Sequence, residues 1–163
     1  MENYIVINGK KAELTEEQLK ALGIATEKKS PFARCQDEEE YYYIEYDGKV
    51  LQDTEYNSET DIKCYKVANY CTDKNLMQQR AWHETLSRLL WRYSMEHDGD
   101  KIDWQNGYTS KYYILMDSSG DICVGSVCWS KDECTYFHTK EIAKSAIKEI
   151  IEPFMKEHPD FVW

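Results

Sequence analysis

Short alternating runs of apolar and β-branched residues, several of them joined at glycine turns, are interleaved along this chain with stretches of helical periodicity. Tyr4 to Ile7 and Lys10 to Leu14 predict a hairpin around Asn8-Gly9, the strongest short hairpin signal. Thr15 and Gln18 have the spacing of a capping box, Leu19 and Leu22 supply an apolar stripe, and Gly23 is placed to stop the helix. Together they define a small N-terminal ββα element, assigned to residues 1–25. Residues 26–40, containing Pro31 and an acidic run, are expected to form a linker or exposed acidic loop.

The remainder, 41–163, carries one pattern twice. Tyr41-Tyr42-Tyr43-Ile44, an Asp47-Gly48 turn, Val50 and the Tyr70-to-Lys74 string return as Tyr112-Tyr113-Ile114, a Ser119-Gly120 turn, Ile122 and the Tyr136-to-Lys140 string. The pattern predicts two hairpin-strand-helix units, 41–97 and 108–163, and an α+β fold in which antiparallel sheet packs against helices. In the first unit Lys63 to Ala68 is the expected third strand, and Thr72 or Asp73 caps a helix reaching about Met95, with Leu76, His83, Leu86, Leu90 and Tyr93 inward. In the second, Cys134 to Phe137 is the third strand and Thr139 caps a helix. Its core face is Ile142, Ala143, Ala146, Ile147, Ile150, Ile151 and Phe154, with Pro153 in its final turn or ending it. Phe161 and Trp163 are expected to dock on the body or to meet a partner.

Composition adds that 163 residues with 42% hydrophobic content can bury a core, and no apolar run is long enough for a membrane span. Without a signal-peptide pattern at the N-terminus the chain is expected in the cytoplasm, with its six cysteines reduced. Charge changes the picture more. Between Cys35 and Asp61 ten carboxylates stand against Lys49 alone, a local charge of −9 in a chain whose net charge is −10. Such a field repels nucleic acid and attracts basic protein surfaces, so no direct nucleic-acid binding is expected. Tyrosines interleave with these acids, and tyrosine is favoured at interfaces. An exposed charge run also serves as a solvated face, which is the plainer reading of it.

Chemical motifs are sparse. No phosphate-binding glycine loop and no nucleophile elbow is present. His83-Glu84 begins like a zincin helix, but Ser87 stands where its second histidine is required. Cys123, Cys128, Cys134 and His138 match the last two intervals of a CCCH zinc finger and are too closely spaced in the first. They also fit strand positions, where cysteine is simply core. Asp98, Asp100 and Asp103 lack the glycine and closing glutamate of a calcium loop. No catalytic residue, metal site or cofactor is therefore assigned.

Ile7 to Lys10, Leu14 to Leu19, Pro31 to Arg34 and the Tyr41-to-Gly48 block resemble small accessory proteins encoded by phages and prophages of Gram-positive bacteria. Ile102 to Trp104, Lys111 to Ile114 and Tyr136 to Ala143 resemble the tail these proteins commonly carry. The resemblance covers most of the chain and lies in scaffold positions. It implies a bacterial host cytoplasm, and, since some such proteins are anti-CRISPR factors, a non-enzymatic inhibitor that binds a Cas nuclease with its guide RNA and blocks DNA binding or cleavage. Asp37, Glu38, Glu39, Glu40, Glu45 and Asp47 would imitate phosphates toward the basic surface of the partner, with Tyr41 and Tyr46 as anchors. The alternatives are a phage structural or assembly protein and a zinc-binding nucleic-acid-processing protein.

Overall fold

The computed structural model describes residues 4–7, 10–22 and 30–163 and divides into two compact units, Met1–Ala33 and Arg34–Trp163. In the first, β1 (Tyr4–Ile7) and β2 (Lys10–Glu13) are antiparallel with Ile7 opposite Lys10, followed by α1 (Glu16–Ala21). The expected capping box is formed: Gln18 Oε1 accepts the Thr15 N–H at 2.9 Å and Thr15 Oγ1 accepts the Gln18 N–H at 3.3 Å. The Asn8-Gly9 turn, the Gly23 stop and the expected linker up to residue 29 lie outside the described residues.

The Arg34–Trp163 unit is α+β and carries the repeated pattern in recognisable form. Hairpin β3 (Glu40–Ile44) and β4 (Val50–Thr54) is matched by β5 (Lys111–Met116) and β6 (Ile122–Val127). Both turns have one construction. The Glu45 N–H donates to the Lys49 carbonyl and Gly48 N–H to the Glu45 carbonyl, while Asp117 N–H donates to Asp121 and Gly120 N–H to Asp117. Gly48 and Gly120 sit at φ 88° and 89°, the left-handed position that ends a three-residue hairpin loop.

The third strand is where the halves part. In the second half β7 (Tyr136–Phe137) pairs with β5, Phe137 opposite Tyr112, to give the sheet order β6-β5-β7. In the first half the expected strand at Lys63 to Ala68 is instead part of α2 (Glu59–Lys66) and the turn after it. Ser58 and Asp61 form a capping box that starts this helix, and the local β preference of Tyr65 and Val67 yields to it. What remains of the strand is one bridge, Cys71 to Tyr42, at 2.7 and 3.0 Å, beside an Asn69 side chain that bonds both the N–H and the carbonyl of Ile44 at 2.8 Å. In each half the helix N-cap follows two residues after the bridging residue, Asp73 after Cys71 and Thr139 after Phe137.

Helix α3 (Lys74–Glu96) serves both hairpins. Its first turns bury Met77 and Ala81 with Ile44 and Cys71, and its later turns bury Leu86, Leu90 and Tyr93 with Phe137, Ala143, Ile151 and Phe154. The inward stripe thus begins at Met77 rather than at Leu76, which is 40% exposed, and His83 is exposed. The last helix runs as α4 (Lys140–Ala146), a π turn over Ile147–Ile151 and α5 (Glu152–Glu157). Pro153 sits near the start of α5, where its missing N–H and its ring do not fit a regular ladder; the widened turn just before it accommodates both. The tail docks, as expected: Phe161 is buried, and Gln79 holds the Asp160 carbonyl and the Val162 N–H at 2.6 and 2.9 Å.

Candidate functional site

The acids that look alike in sequence separate into two populations. Glu55 and Asp61, counted with the exposed run, are buried at 0% and 2% exposure. Arg34 grips Glu55 through two hydrogen bonds, Nε to Oε2 at 3.1 Å and Nη2 to Oε1 at 2.8 Å, and the Tyr70 hydroxyl and Asn57 N–H donate to the same carboxylate at 2.9 Å. Asp61 accepts from the Tyr41 hydroxyl at 3.0 Å and from the N–H groups of Tyr56 and Ser58 at 3.0 and 2.8 Å. The Arg34 guanidinium holds the Glu55 carboxyl below its usual value. Burial pushes the Asp61 carboxyl up, but the Tyr56, Ser58 and Tyr41 donors outweigh it and bring it to about 2. Burial, reinforced in Tyr41 by the hydrogen bond to Asp61, raises the Tyr41 and Tyr70 hydroxyls.

This network moves Tyr41 out of the site. Its ring is fully buried, stacked on Tyr70 at a centroid distance of 4.0 Å, so it cannot anchor a partner. Both faces of the first hairpin are covered: Tyr42 and Ile44 face α3, while Tyr41 meets Tyr70 and Asp61 on the side of α2. Residues 34–40, expected to be part of a linker, are tied into this unit by Arg34 to Glu55, Cys35 N–H to the Tyr70 oxygen, and Glu38 N–H to the Glu55 carbonyl.

The exposed population is carried by the two ends of the hairpin. At one end Asp37 and Glu38 occupy the corners of a turn closed by Glu39 N–H to the Gln36 carbonyl, and Glu40 opens β3. Glu38 has φ 66°, an unfavourable left-handed conformation for a non-glycine residue, held by the ladder bonds between 38–39 and Glu55. At the other end, about 16 Å along the strand, half-buried Glu45 and exposed Asp47 flank Tyr46, which is 94% exposed. Of the nearby cations, Arg34 is engaged by Glu55 and Lys63 by Glu59, Lys49 pairs with Asp47 of the turn itself, and the Arg88 guanidinium stands beside Gly48. Asp37, Glu38, Glu40, Glu45 and Asp53 make no ion pair among the described residues.

A concave feature that sequence reasoning missed lies along α3. Ser87, Arg88 and Trp91 face the Lys131–Thr135 segment across a groove of about 530 Å³, continuous with a smaller pocket of about 220 Å³ floored by Leu86, Phe137 and Phe161. Arg88 and the 62%-exposed Trp91 were its only sequence signal, a cation and an aromatic one helical turn apart. Among the described residues no group of three or more histidine, cysteine or acidic side chains could hold a metal ion, so Cys123, Cys128, Cys134 and His138 do not form a zinc site here. Cys134, in the groove, has its thiol pushed up by desolvation and is protonated at neutral pH.

No protein-family model matches the chain, and no curated protein or solved structure shows significant similarity to it.

Proposed function

We propose that this chain is a non-enzymatic interaction protein that binds a basic surface of a protein partner through the exposed acids at the two ends of the β3–β4 hairpin. Asp37, Glu38, Glu39 and Glu40 supply one cluster of negative charge and Glu45 and Asp47 the other, with Tyr46 as the exposed aromatic anchor. The observation that carries this reading is that four acids of the site, Asp37, Glu38, Glu40 and Glu45, make no ion pair among the described residues, while Arg34 and Lys63 are committed to Glu55 and Glu59. An acidic surface whose carboxylates are mostly left unpaired is complementary to a nucleic-acid-binding groove, and it speeds encounter with one.

The resemblance to phage accessory proteins supplies the partner class in this proposal: a Cas nuclease with its guide, whose DNA access or cleavage the bound protein blocks in the bacterial cytoplasm. The direct test immobilises the protein and passes over it a guide-loaded Cas nuclease from a Gram-positive host. Binding that weakens as salt is raised, together with loss of DNA cleavage by the captured enzyme, is the expected result. Absence of binding at low salt overturns the nuclease assignment. An assembly role is the second reading, favoured by one observation on the opposite hairpin.

A further inference from the structure

Sheet edges in the Arg34–Trp163 unit are protected to different degrees. The outer side of β3 is taken by Cys71 and the Asn69 amide. On β4 the outward backbone groups of Val50 and Gln52 have no partner among the described residues, but Asp53 Oδ1 accepts the N–H of Thr54 and places a carboxylate on the edge. β7 is two residues long, and the Ser94 hydroxyl donates to its Tyr136 carbonyl at 2.5 Å. Short edges, edge charges and side-chain caps are the ordinary protections against strand addition.

β6 has none of them. It is the outer strand of the order β6-β5-β7, six residues long, and its sequence, Ile122-Cys123-Val124-Gly125-Ser126-Val127, contains no charge and no proline in a chain that is 31% charged. The Asp117 N–H to Asp121 carbonyl bond sets the phase of the ladder: odd-numbered positions of β6 exchange bonds with β5, and Ile122, Val124 and Ser126 turn their N–H and C=O groups outward. Among the described residues these outward groups have no partner.

We propose that β6 is a self-association strand, pairing antiparallel with β6 of a second copy about a two-fold axis through Val124. In that register Val124 meets its own counterpart and Ile122 meets Ser126 of the other copy, so each outward donor finds an acceptor and two three-stranded sheets become one of six. A second copy fits better than a strand of arbitrary sequence for two reasons. The pairing joins two uncharged strands of equal length and continues the layer in which Ile122 and Val124 pack against the helices. The antiparallel arrangement also sends the acidic turns, Asp117 and Asp121, to opposite ends of the seam, where a parallel one would stack them. Because each copy carries −10, the dimer strengthens as salt rises, the opposite of partner capture by the acidic hairpin, so the two proposals fail separately.

Sedimentation velocity over a concentration series tests it. Wild type is expected to shift from the 19.3 kDa monomer to twice that mass, at lower concentration in higher salt. Val124→Pro deletes an N–H that no bond among the described residues uses, so it should stay folded by circular dichroism and remain monomeric wherever wild type is dimeric. Should that variant not fold, Ser126→Lys, at an exposed side chain, sets a charge beside the seam with no backbone change and is likewise expected to be monomeric. A wild type that is monomeric throughout, or a folded variant that still dimerises, overturns the proposal.

Discussion

Arg34 and Glu55 illustrate how strongly one pair of residues can be constrained. The Glu55 side chain is 1% exposed and its charge is balanced by a guanidinium that is itself one-third exposed. Removing the cation leaves a buried carboxylate with only the Tyr70 and Asn57 donors, so Arg34→Ala should lower the midpoint of denaturant unfolding, and Arg34→Lys should restore part of the loss. Asp61 behaves differently because its donors are neutral. Its carboxyl is held near 2 against a usual 3.8, so its stabilisation is fully present above about pH 4 and is lost as pH falls toward 2. The shift corresponds to about 2 kcal/mol, and Asp61→Asn should be destabilised by that order at pH 7, with the gap to wild type closing between about pH 4 and pH 2. A gap independent of pH would mean that the carboxylate charge is not what matters. In the sequence Glu55 and Asp61 could not be told from Glu38 or Asp53. Their burial depends on Tyr41 stacking on Tyr70, a contact across 29 positions that no local pattern encodes.

Turns and caps act at the scale of the element. Gly48 and Gly120 share one backbone conformation but not one environment: a methyl at Gly48 would lie 2.9 Å from Thr85 Oγ1, whereas nothing stands within 4 Å of one at Gly120. Gly120→Ala should therefore cost only the left-handed strain, about 1 kcal/mol, and Gly48→Ala measurably more. Equal melting temperatures for the two variants would contradict the packing of the first turn against α3. Both hairpins, the Thr15, Asp73 and Thr139 caps and the face of the last helix were legible, since each is written in residues within a few positions of one another. α2 was not, although Ser58 and Asp61 carried its capping box; the run from Cys64 to Val67 carries strand preference of its own, and the cap decides between the two. The stripe of α3 was shifted because this helix packs on two hairpins in succession, and a helix that changes partner along its length changes its inward face.

For the molecule as a whole, the repeated pattern has a structural counterpart in which two hairpins share one long helix and a second helix completes the larger core. Ile151 lies at 0% exposure in that core, so Ile151→Asp should abolish cooperative unfolding, while changes among the exposed acids should leave the core untouched. The candidate surface was legible only in part. Charge density identified the segment, but which acids reach solvent, and that Tyr46 rather than Tyr41 is the available aromatic, followed from the fold. The groove beside Trp91 assembles from α3 and a segment 40 or more positions away, beyond the reach of any local reading. The central claim is that unpaired surface carboxylates, not the groove and not the core, hold a basic partner. Asp37, Glu38 and Glu40 are the residues to reverse to lysine, because none forms an ion pair among the described residues and Glu39, whose carboxylate takes the Gln36 N–H, stays intact. The most direct measurement captures partners with wild type and with this triple variant from a Gram-positive host lysate containing a guide-loaded Cas nuclease, and compares the melting temperatures of the two proteins. Loss of the captured nuclease, with melting temperatures agreeing to within a few degrees, is the predicted result. Undiminished capture by the triple variant would contradict it.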